Sequence, residues 1–181
     1  REGTKLQLTQ IQIALRACHL LKKGGRLVYS TCSLNPIENE AVVAQIIKRT
    51  SGAMRIVDAR SLLPSLACNE GLSTWSVTNA RGEIVSEAGP LAHEAMFPPT
   101  DATDAASLKL CMRLMPEHCN GGAFFVAVLD KVGDFALTKS ADSEFALNSP
   151  LAKKSRKDTG VTPSADQDEV ASERKVPPQF V

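Results

Sequence analysis

The sequence predicts an α/β fold, because a helical pattern, a buried strand and a second helical pattern follow one another near its start. Residues 4–23 repeat apolar side chains at steps of three and four, the period of a helix with one buried face. Gly24 and Gly25 can end that helix. Residues 26–32 are short, β-branched and apolar in the middle, which is typical of a strand buried on both faces of a parallel sheet. With a second helix over 36–49, they predict one βα unit of a doubly wound sheet.

The start of the second helix is predicted from three residues with capping chemistry. Asn35 can cap the helix, Pro36 suits the first helical position, and Glu38 lies three residues after the cap. Apolar residues then supply a buried surface; they are Ile37, Val43, Ile46 and Ile47.

Downstream of this unit the pattern is less regular. Residues 54–59 predict a short strand, and residues 124–129 predict another buried strand. A helix is predicted over 104–114. Residues 60–106 mix strand-like pieces with turn signals and predict no single element.

Composition divides the chain into a folded part and a tail. Residues 1–132 are predicted to form the folded part, and residues 133–181 a low-complexity tail. Residues 150–181 are rich in Lys, Ser, Asp, Glu and Pro, so we expect disorder there. Within them, residues 153–157 form a small basic cluster. A solvated tail segment is the favoured interpretation, with nuclear import or RNA contact as the alternative.

Charge and cysteine content narrow the class of protein. The net charge of +1 argues neither for nor against a nucleic-acid partner. The five cysteines are odd in number and none has CxxC spacing, so we expect reduced thiols and neither a disulfide framework nor a metal site. No long apolar run is present, which predicts a soluble protein without a membrane partner. The first residue is Arg1, which suggests a fragment or a processed chain.

Cys32 is the candidate for chemistry, because it directly follows the predicted buried strand and precedes a helix. Ligands of doubly wound sheets bind outside the carboxyl ends of the strands. The positive end of the next helix can favour a thiolate, which is the form that attacks an electrophilic carbon. By position alone, a small buried hydrophobic side chain is the commoner role for such a cysteine. That second interpretation is the one favoured for Cys18, Cys68, Cys111 and Cys119.

Two stretches resemble a known family. Residues 21–40, which run LKKGGRLVYSTCSLNPIENE, are similar to the signature of the RsmB/NOP (Sun) family of RNA cytosine-5 methyltransferases. Residues 113–116 and 121–127 resemble the closing element of that family. Residues 96–99, Met-Phe-Pro-Pro, are more similar to its eukaryotic tRNA-modifying branch. The resemblance extends over roughly residues 3–130 and is weakest between 50 and 95.

The resemblance implies a fold, a reaction and a role for Cys32. The fold would be the C-terminal half of a Rossmann-like class I methyltransferase. The reaction would be methylation of cytosine carbon 5 in RNA, with tRNA favoured over ribosomal RNA, through a covalent bond between Cys32 and carbon 6. The cofactor would be S-adenosylmethionine, whose binding motifs lie upstream of this strand in the family. We therefore assign no cofactor-binding residue here and expect the fragment alone to be inactive. The expected location is the nucleus or nucleolus, and the oligomeric state is left open.

Several other residues have a possible site role beside a plainer structural one. Glu38 and Glu40 match the family motif but are interpreted as a helix cap and a surface residue. Thr31 and Ser33 can orient the loop or make turn hydrogen bonds. Arg113 can contact phosphate or remain solvated. Base stacking and phosphate binding are weaker alternatives for the following side chains: Trp75, Lys5, Arg16, Lys22, Lys23 and Arg26.

Two other functions are compatible with the fold. A non-catalytic RNA-binding or scaffold module would keep the fold without the reaction. A class I methyltransferase of another substrate would share the stretch from residue 21 to 28, but the Thr-Cys-Ser-Leu-Asn-Pro sequence at 31–36 counts against it.

Overall fold

The computed structural model describes residues 2–79, 81–90, 92–119 and 121–136. The helices are α1 (Glu2–Leu20), α2 (Glu40–Thr50), α3 (Ala102–Ser107) and α4 (Pro116–Cys119), with 3-10 turns at Arg60–Leu62, Glu94–Met96 and Leu108–Leu110. The strands are β1 (Arg26–Thr31), β2 (Met54–Ile56), β3 (Asn69–Glu70), β4 (Val77–Thr78), β5 (Ile84–Val85), β6 (Met112–Leu114) and β7 (Phe124–Lys131). The predicted α/β fold is confirmed. No helix in these ranges is both long and apolar enough to cross a membrane.

The last strand is the centre of the main sheet. β1 pairs with one edge of β7 along its length, from Arg26 opposite Asp130 to Thr31 opposite Phe125. The other edge of β7 pairs with β2 near its end and with β6 near its start, and β3 pairs with β6. All of these pairings are antiparallel, so the described residues show none of the parallel pairing that the sequence predicted for β1. β4 and β5 form a separate two-stranded ribbon.

One face of the sheet packs on α1 and α2. Alternate residues of β7 point into this core and are fully buried: Phe125, Ala127 and Leu129. The helices contribute Ile11, Leu15, Cys18, Val42, Val43 and Ile46. The opposite face carries a smaller cluster of Ala59, Met112 and Val128, against which Val57 and Cys68 pack.

β1 differs from the prediction of a strand buried on both faces. Leu27 and Tyr29 pack against the core, whereas Val28 is 59% exposed. The helices cover only one face of β1, so its side chains alternate between core and surface. An apolar run predicted a strand correctly here, but the number of covered faces depends on which other elements pack on it.

The second helix begins later than predicted, at Glu40 and not at Pro36. The Asn35 side chain accepts a hydrogen bond from the Ile37 amide at 3.1 Å, which closes a turn in place of the first helical turn. The Glu38 amide bonds the Asn35 carbonyl at 3.0 Å in the same turn. Asn35 therefore acts as a turn residue, one of the two common uses of Asn.

The other predicted boundaries differ in smaller ways. The first helix ends at Leu20, and Gly24 adopts a positive φ of 81° after it. The predicted strand over 54–59 ends at Ile56, and the one over 124–129 continues to Lys131. The predicted helix over 104–114 was wrong in its second half, since Met112–Leu114 is strand β6. Pairing with β7 outweighs the local helical pattern there.

The end of the described chain packs back on the first helix. Lys131 is buried and donates a hydrogen bond to the Leu21 carbonyl at 2.7 Å. Phe135 makes an edge-to-face contact with His19, with ring centroids 6.2 Å apart. The division of the chain at residue 132 stays a prediction. The tail expected at 150–181 and its basic cluster lie outside the described residues.

Candidate active site

Cys32 lies one residue beyond β1, and its side chain is exposed. The alternative of a small buried hydrophobic side chain is therefore wrong for this cysteine. Among the described cysteines, which are all free thiols, Cys18 and Cys111 are buried and Cys68 is half-buried. Burial raises the pKa of the Cys18 thiol to about 11 and raises that of Cys111 as well. Cys32 is thus the most accessible of the four thiols whose side chains the structure describes; the Cys119 side chain is not among them.

The two residues that flank Cys32 are bound to the same buried amide. The Thr31 hydroxyl donates to Asn39 Oδ1 at 2.6 Å. Asn39 Nδ2 donates to the Ser33 carbonyl at 2.9 Å. Asn39 is completely buried and immediately precedes α2. The start of α2 is therefore close to the Cys32 loop in space, although seven residues lie between Cys32 and Glu40.

Further hydrogen bonds fix the shape of the loop between β1 and α2. The Ser33 amide donates to the Thr31 hydroxyl at 3.2 Å, and the Asn35 amide donates to the Ser33 hydroxyl at 3.0 Å. The Tyr29 hydroxyl donates to the Glu38 carbonyl at 2.6 Å. Thr31 and Ser33 therefore make the turn hydrogen bonds that the sequence offered as their plainer role.

Glu40 and Arg113 form a buried ion pair that the sequence prediction missed. Arg113 donates to the two carboxylate oxygens of Glu40 at 2.6 and 2.7 Å, and to the Leu34 carbonyl at 3.0 Å. The Leu72 amide adds a bond to the same carboxylate at 2.9 Å. The Glu40 side chain is fully buried and that of Arg113 is 9% exposed. The predictions of a surface position for Glu40 and of a solvated or phosphate-binding Arg113 were therefore wrong.

The spacing of Glu40 in the sequence indicates that its side chain is buried. Glu40 lies three residues before Val43 and seven before Ile47, so it shares the apolar stripe of the second helix. A charged residue on such a stripe indicates a buried partner. Its partner Arg113 is 73 residues away, and one sequence carries no signal that pairs them. Glu38, predicted as a helix cap, instead accepts a hydrogen bond from the Asn35 side chain at 3.2 Å.

Three residues of the predicted basic face lie at the far end of β1 from Cys32. Lys22, Lys23 and Arg26 lie at or before the first residue of β1, whereas Cys32 follows its last residue. At the usual rise of a strand, the two ends are about 20 Å apart. Arg26 is also engaged in a double hydrogen bond with Asp130, at 2.7 and 2.9 Å. Arg16 is exposed on α1, and the Lys5 side chain is not described.

Trp75 is half-buried and packs against the core. Its indole Nε1 donates to the Met96 carbonyl at 2.8 Å. The ring packs against a cluster that contains Val77, Ala92 and Met96. The plainer interpretation of this single tryptophan is therefore correct.

Neither the Glu38 nor the Glu40 carboxylate, which lie between Cys32 and the first turn of α2, is free to hold a cofactor ribose. A cofactor ribose is commonly held by a free acidic side chain after a strand. Here the Glu40 carboxylate is bound to Arg113, and the Glu38 carboxylate to Asn35. In the same described ranges, no group of three or more His, Cys, Asp or Glu side chains could hold a metal ion.

Comparison with known proteins finds one matching family and relatives with similar descriptions. The family described as 16S rRNA methyltransferase RsmB/F matches residues 2–130. The multisite-specific tRNA:(cytosine-C(5))-methyltransferase of Saccharomyces cerevisiae is 41% identical over 78% of this chain and 21% of its own length. The tRNA (cytosine(34)-C(5))-methyltransferase of Drosophila melanogaster is 38% identical over 93% of this chain and 23% of its own length.

A solved structure is also similar. It is a methyltransferase homolog protein from Pyrococcus horikoshii, 25% identical, with 72% of this chain and 32% of that chain covered and a TM-score of 0.46. The chain spans about a fifth of the length of the two tRNA methyltransferases that it matches.

Proposed function

Because the chain belongs to the RsmB/F methyltransferase family, we propose that Cys32 is the nucleophile of an RNA cytosine-C5 methyltransferase that acts on tRNA. The observation that carries the proposal is the exposed thiol at the end of β1, held in a loop whose neighbours are hydrogen-bonded. This thiol lies inside the stretch over 21–40 that resembles the family signature.

The proposed chemistry explains why a thiol is needed. Carbon 5 of cytosine is a poor nucleophile. Addition of the Cys32 thiolate to carbon 6 would form an S–C6 bond and move electron density to carbon 5. Carbon 5 would then accept the methyl group that S-adenosylmethionine supplies when bound, with S-adenosylhomocysteine as the leaving group. Loss of the proton on carbon 5 and cleavage of the S–C6 bond restore the aromatic ring and the thiolate. Covalent catalysis of this kind divides one difficult step into easier ones.

Access of the base to the thiol is the physical requirement of this reaction. Carbon 6 is buried within a base stack, so the cytosine must leave the stack before the sulfur can reach it. An exposed thiol on a fixed loop suits a base that arrives from outside the protein. The exposure of Cys32 supports this step, whereas the buried thiols Cys18 and Cys111 could not perform it.

The substrate proposal rests on the relatives. The yeast and fly proteins are named as tRNA methyltransferases, and the fly alignment extends over almost the entire chain. The Met-Phe-Pro-Pro stretch at 96–99 resembles the same branch. We propose tRNA as the substrate, S-adenosylmethionine as the methyl donor bound by residues upstream of this chain, and a nuclear location. The location can be tested by fluorescent tagging of the full-length gene product.

Covalent trapping tests the proposal. The full-length gene product is incubated with tRNA that contains 5-azacytidine, which traps thiol adducts at carbon 6. Wild type and the control Cys68→Ala are expected to form a stable adduct, and Cys32→Ala is expected to form none. Cys68 is a matched control because it is another free thiol and only half-buried. Undiminished adduct in Cys32→Ala would refute the assignment.

The same experiment separates the alternative functions. A non-catalytic RNA-binding module would bind the tRNA and form no adduct in any variant. Replacement of the tRNA by a ribosomal RNA fragment tests the substrate class. Adduct with the ribosomal fragment alone would keep the assignment of Cys32 but refute the choice of tRNA.

A further inference from the structure

Asn39 occupies a capping position without capping its helix. Asn side chains at the N-cap usually accept a hydrogen bond from an amide of the first helical turn, which stabilises the helix by about 1 kcal/mol. The Asn39 side chain makes no such bond to α2. Both of its polar ends point instead to the Cys32 loop, one to the Thr31 hydroxyl and one to the Ser33 carbonyl.

This arrangement holds the backbone on both sides of one residue. Thr31 is the last residue of β1 and Ser33 begins the turn, so Cys32 lies between two points that a single planar amide keeps at a fixed separation. The Asn39 side-chain amide is itself fixed in place. Asn39 is completely buried, and its backbone carbonyl accepts a hydrogen bond from the backbone N–H of Val43 in α2 at 3.1 Å. The direction of the Cys32 side chain therefore depends on the position of α2.

The two hydrogen bonds need an amide and not a carboxylate. Asn39 Oδ1 accepts from the Thr31 hydroxyl, and Nδ2 donates to the Ser33 carbonyl. An aspartate would keep the acceptor but would present a second oxygen to the Ser33 carbonyl, and the two would repel each other. The nearby Asn35 does not share this role, since its side chain contacts Ile37 and Glu38.

We propose that Asn39 is a positioning residue that sets the direction of the Cys32 thiol toward carbon 6 of the cytosine. The inference rests on the proposed function, because Asn39 can position Cys32 for attack only if Cys32 is the nucleophile. Attack on a ring carbon requires near-contact geometry, and a displacement of about 1 Å can lower the rate by about 100-fold. Asn39 supplies this geometry through the Thr31 hydroxyl and the Ser33 carbonyl, and it does not touch the substrate.

Four variants of the full-length gene product test the inference. Asn39→Asp removes the donor to the Ser33 carbonyl, and Thr31→Val removes the donor to Asn39. Thr31→Ser keeps that hydroxyl and serves as the conservative rescue. Asn35→Ala is the matched control, because it removes a side-chain amide of the same loop whose hydrogen bonds go to Ile37 and Glu38, and it keeps the backbone amide that bonds Ser33. For each variant we would measure kcat and KM for tRNA methylation, the rate of adduct formation with 5-azacytidine-containing tRNA, and the thermal midpoint.

The expected result is a selective loss of rate. Asn39→Asp should lower kcat and the adduct rate by about 100-fold with little change in KM for tRNA, and Thr31→Val should lower them in the same direction. Thr31→Ser and Asn35→Ala should retain most of the wild-type rate. An unchanged adduct rate in Asn39→Asp would overturn the inference. The inference would also be overturned if the rate of every variant, including Asn35→Ala, fell only in proportion to its loss in thermal midpoint.

Failure of the proposed function would be distinguishable. If wild type forms no adduct, or forms it without Cys32, the function itself is refuted and the positioning role falls with it. If wild type forms the adduct through Cys32 and Asn39→Asp forms it equally fast, only the role of Asn39 is refuted.

Discussion

Replacement of Arg113 by Met should strongly destabilise the protein, because it leaves the Glu40 carboxylate buried without its partner. The Glu40 side chain is completely buried and receives two of its hydrogen bonds from the Arg113 guanidinium. Removal of one member of such a pair costs about 3–5 kcal/mol. Domains of this size are stabilised by about 5–15 kcal/mol, so the loss is a large fraction of the total. The thermal midpoint should fall by roughly 10–20 °C.

Thermal and urea unfolding followed by circular dichroism would measure this loss. The double variant Arg113→Met/Glu40→Leu removes both charges, and a buried pair replaced by apolar residues is often neutral in stability. Two backbone groups, the Leu34 carbonyl and the Leu72 amide, would still lose a partner, at about 1 kcal/mol each. The double variant should therefore be more stable than Arg113→Met alone.

A matched control separates burial from ion pairing as such. Arg26 makes the same double hydrogen bond to Asp130, but at side-chain exposures of 46% and 33%. Exposed pairs contribute little, so Arg26→Met should change the midpoint only slightly. Two results would refute the assignment of this stability to a buried, coupled pair. One is a double variant that is no more stable than Arg113→Met, and the other is a fall in thermal midpoint in Arg26→Met as large as that in Arg113→Met.

Two further predictions concern packing and thiol chemistry. Gly71→Ala should destabilise the fold by about 1–3 kcal/mol in urea unfolding, because its new methyl group would lie 2.2 Å from the Leu108 carbonyl oxygen; a wild-type midpoint would contradict this. Brief treatment with iodoacetamide at pH 8 should modify the exposed Cys32 well before the buried Cys18, as read by peptide mass spectrometry. With a pKa of about 11, only about one Cys18 thiol in a thousand is ionised at pH 8, so its labelling should rise with pH towards 11. Equal labelling at pH 8 would contradict the described burial.

The sequence predicted the elements that depend on local pattern and missed those that depend on distant partners. The apolar periods identified α1, β1, α2 and β7, and the end of β1 led to Cys32. The extent to which β1 is covered was not predictable, because it depends on helices that pack on one face only. The true start of α2 was missed because Asn35 can serve equally as a cap or as a turn residue, and only its hydrogen bond to the Ile37 amide decides between them.

The position of Cys32 in the candidate site was predictable, whereas the residues that hold its loop were not. Cys32 is recognisable because its neighbours in the chain carry the motif. Arg113 gave no local sign of its role, since a strand residue between Met112 and Leu114 can face either side of a sheet. Asn39 lies within the motif at 21–40, but its bonds to the residues on both sides of Cys32 form only in the folded loop, so the sequence carried no sign of them.

The position of β7 at the centre of the sheet has a consequence for the order of folding. β7 is the last described strand along the chain, yet β1, β2 and β6 all pair with it. During synthesis the sheet therefore cannot close until residue 131 has left the ribosome, and β1 must wait about a hundred residues for its partner. Contacts this far apart in sequence slow folding and leave apolar surface open in the meantime. A polypeptide that ended before Phe124 would contain Cys32 but would lack the strand with which both β1 and β2 pair.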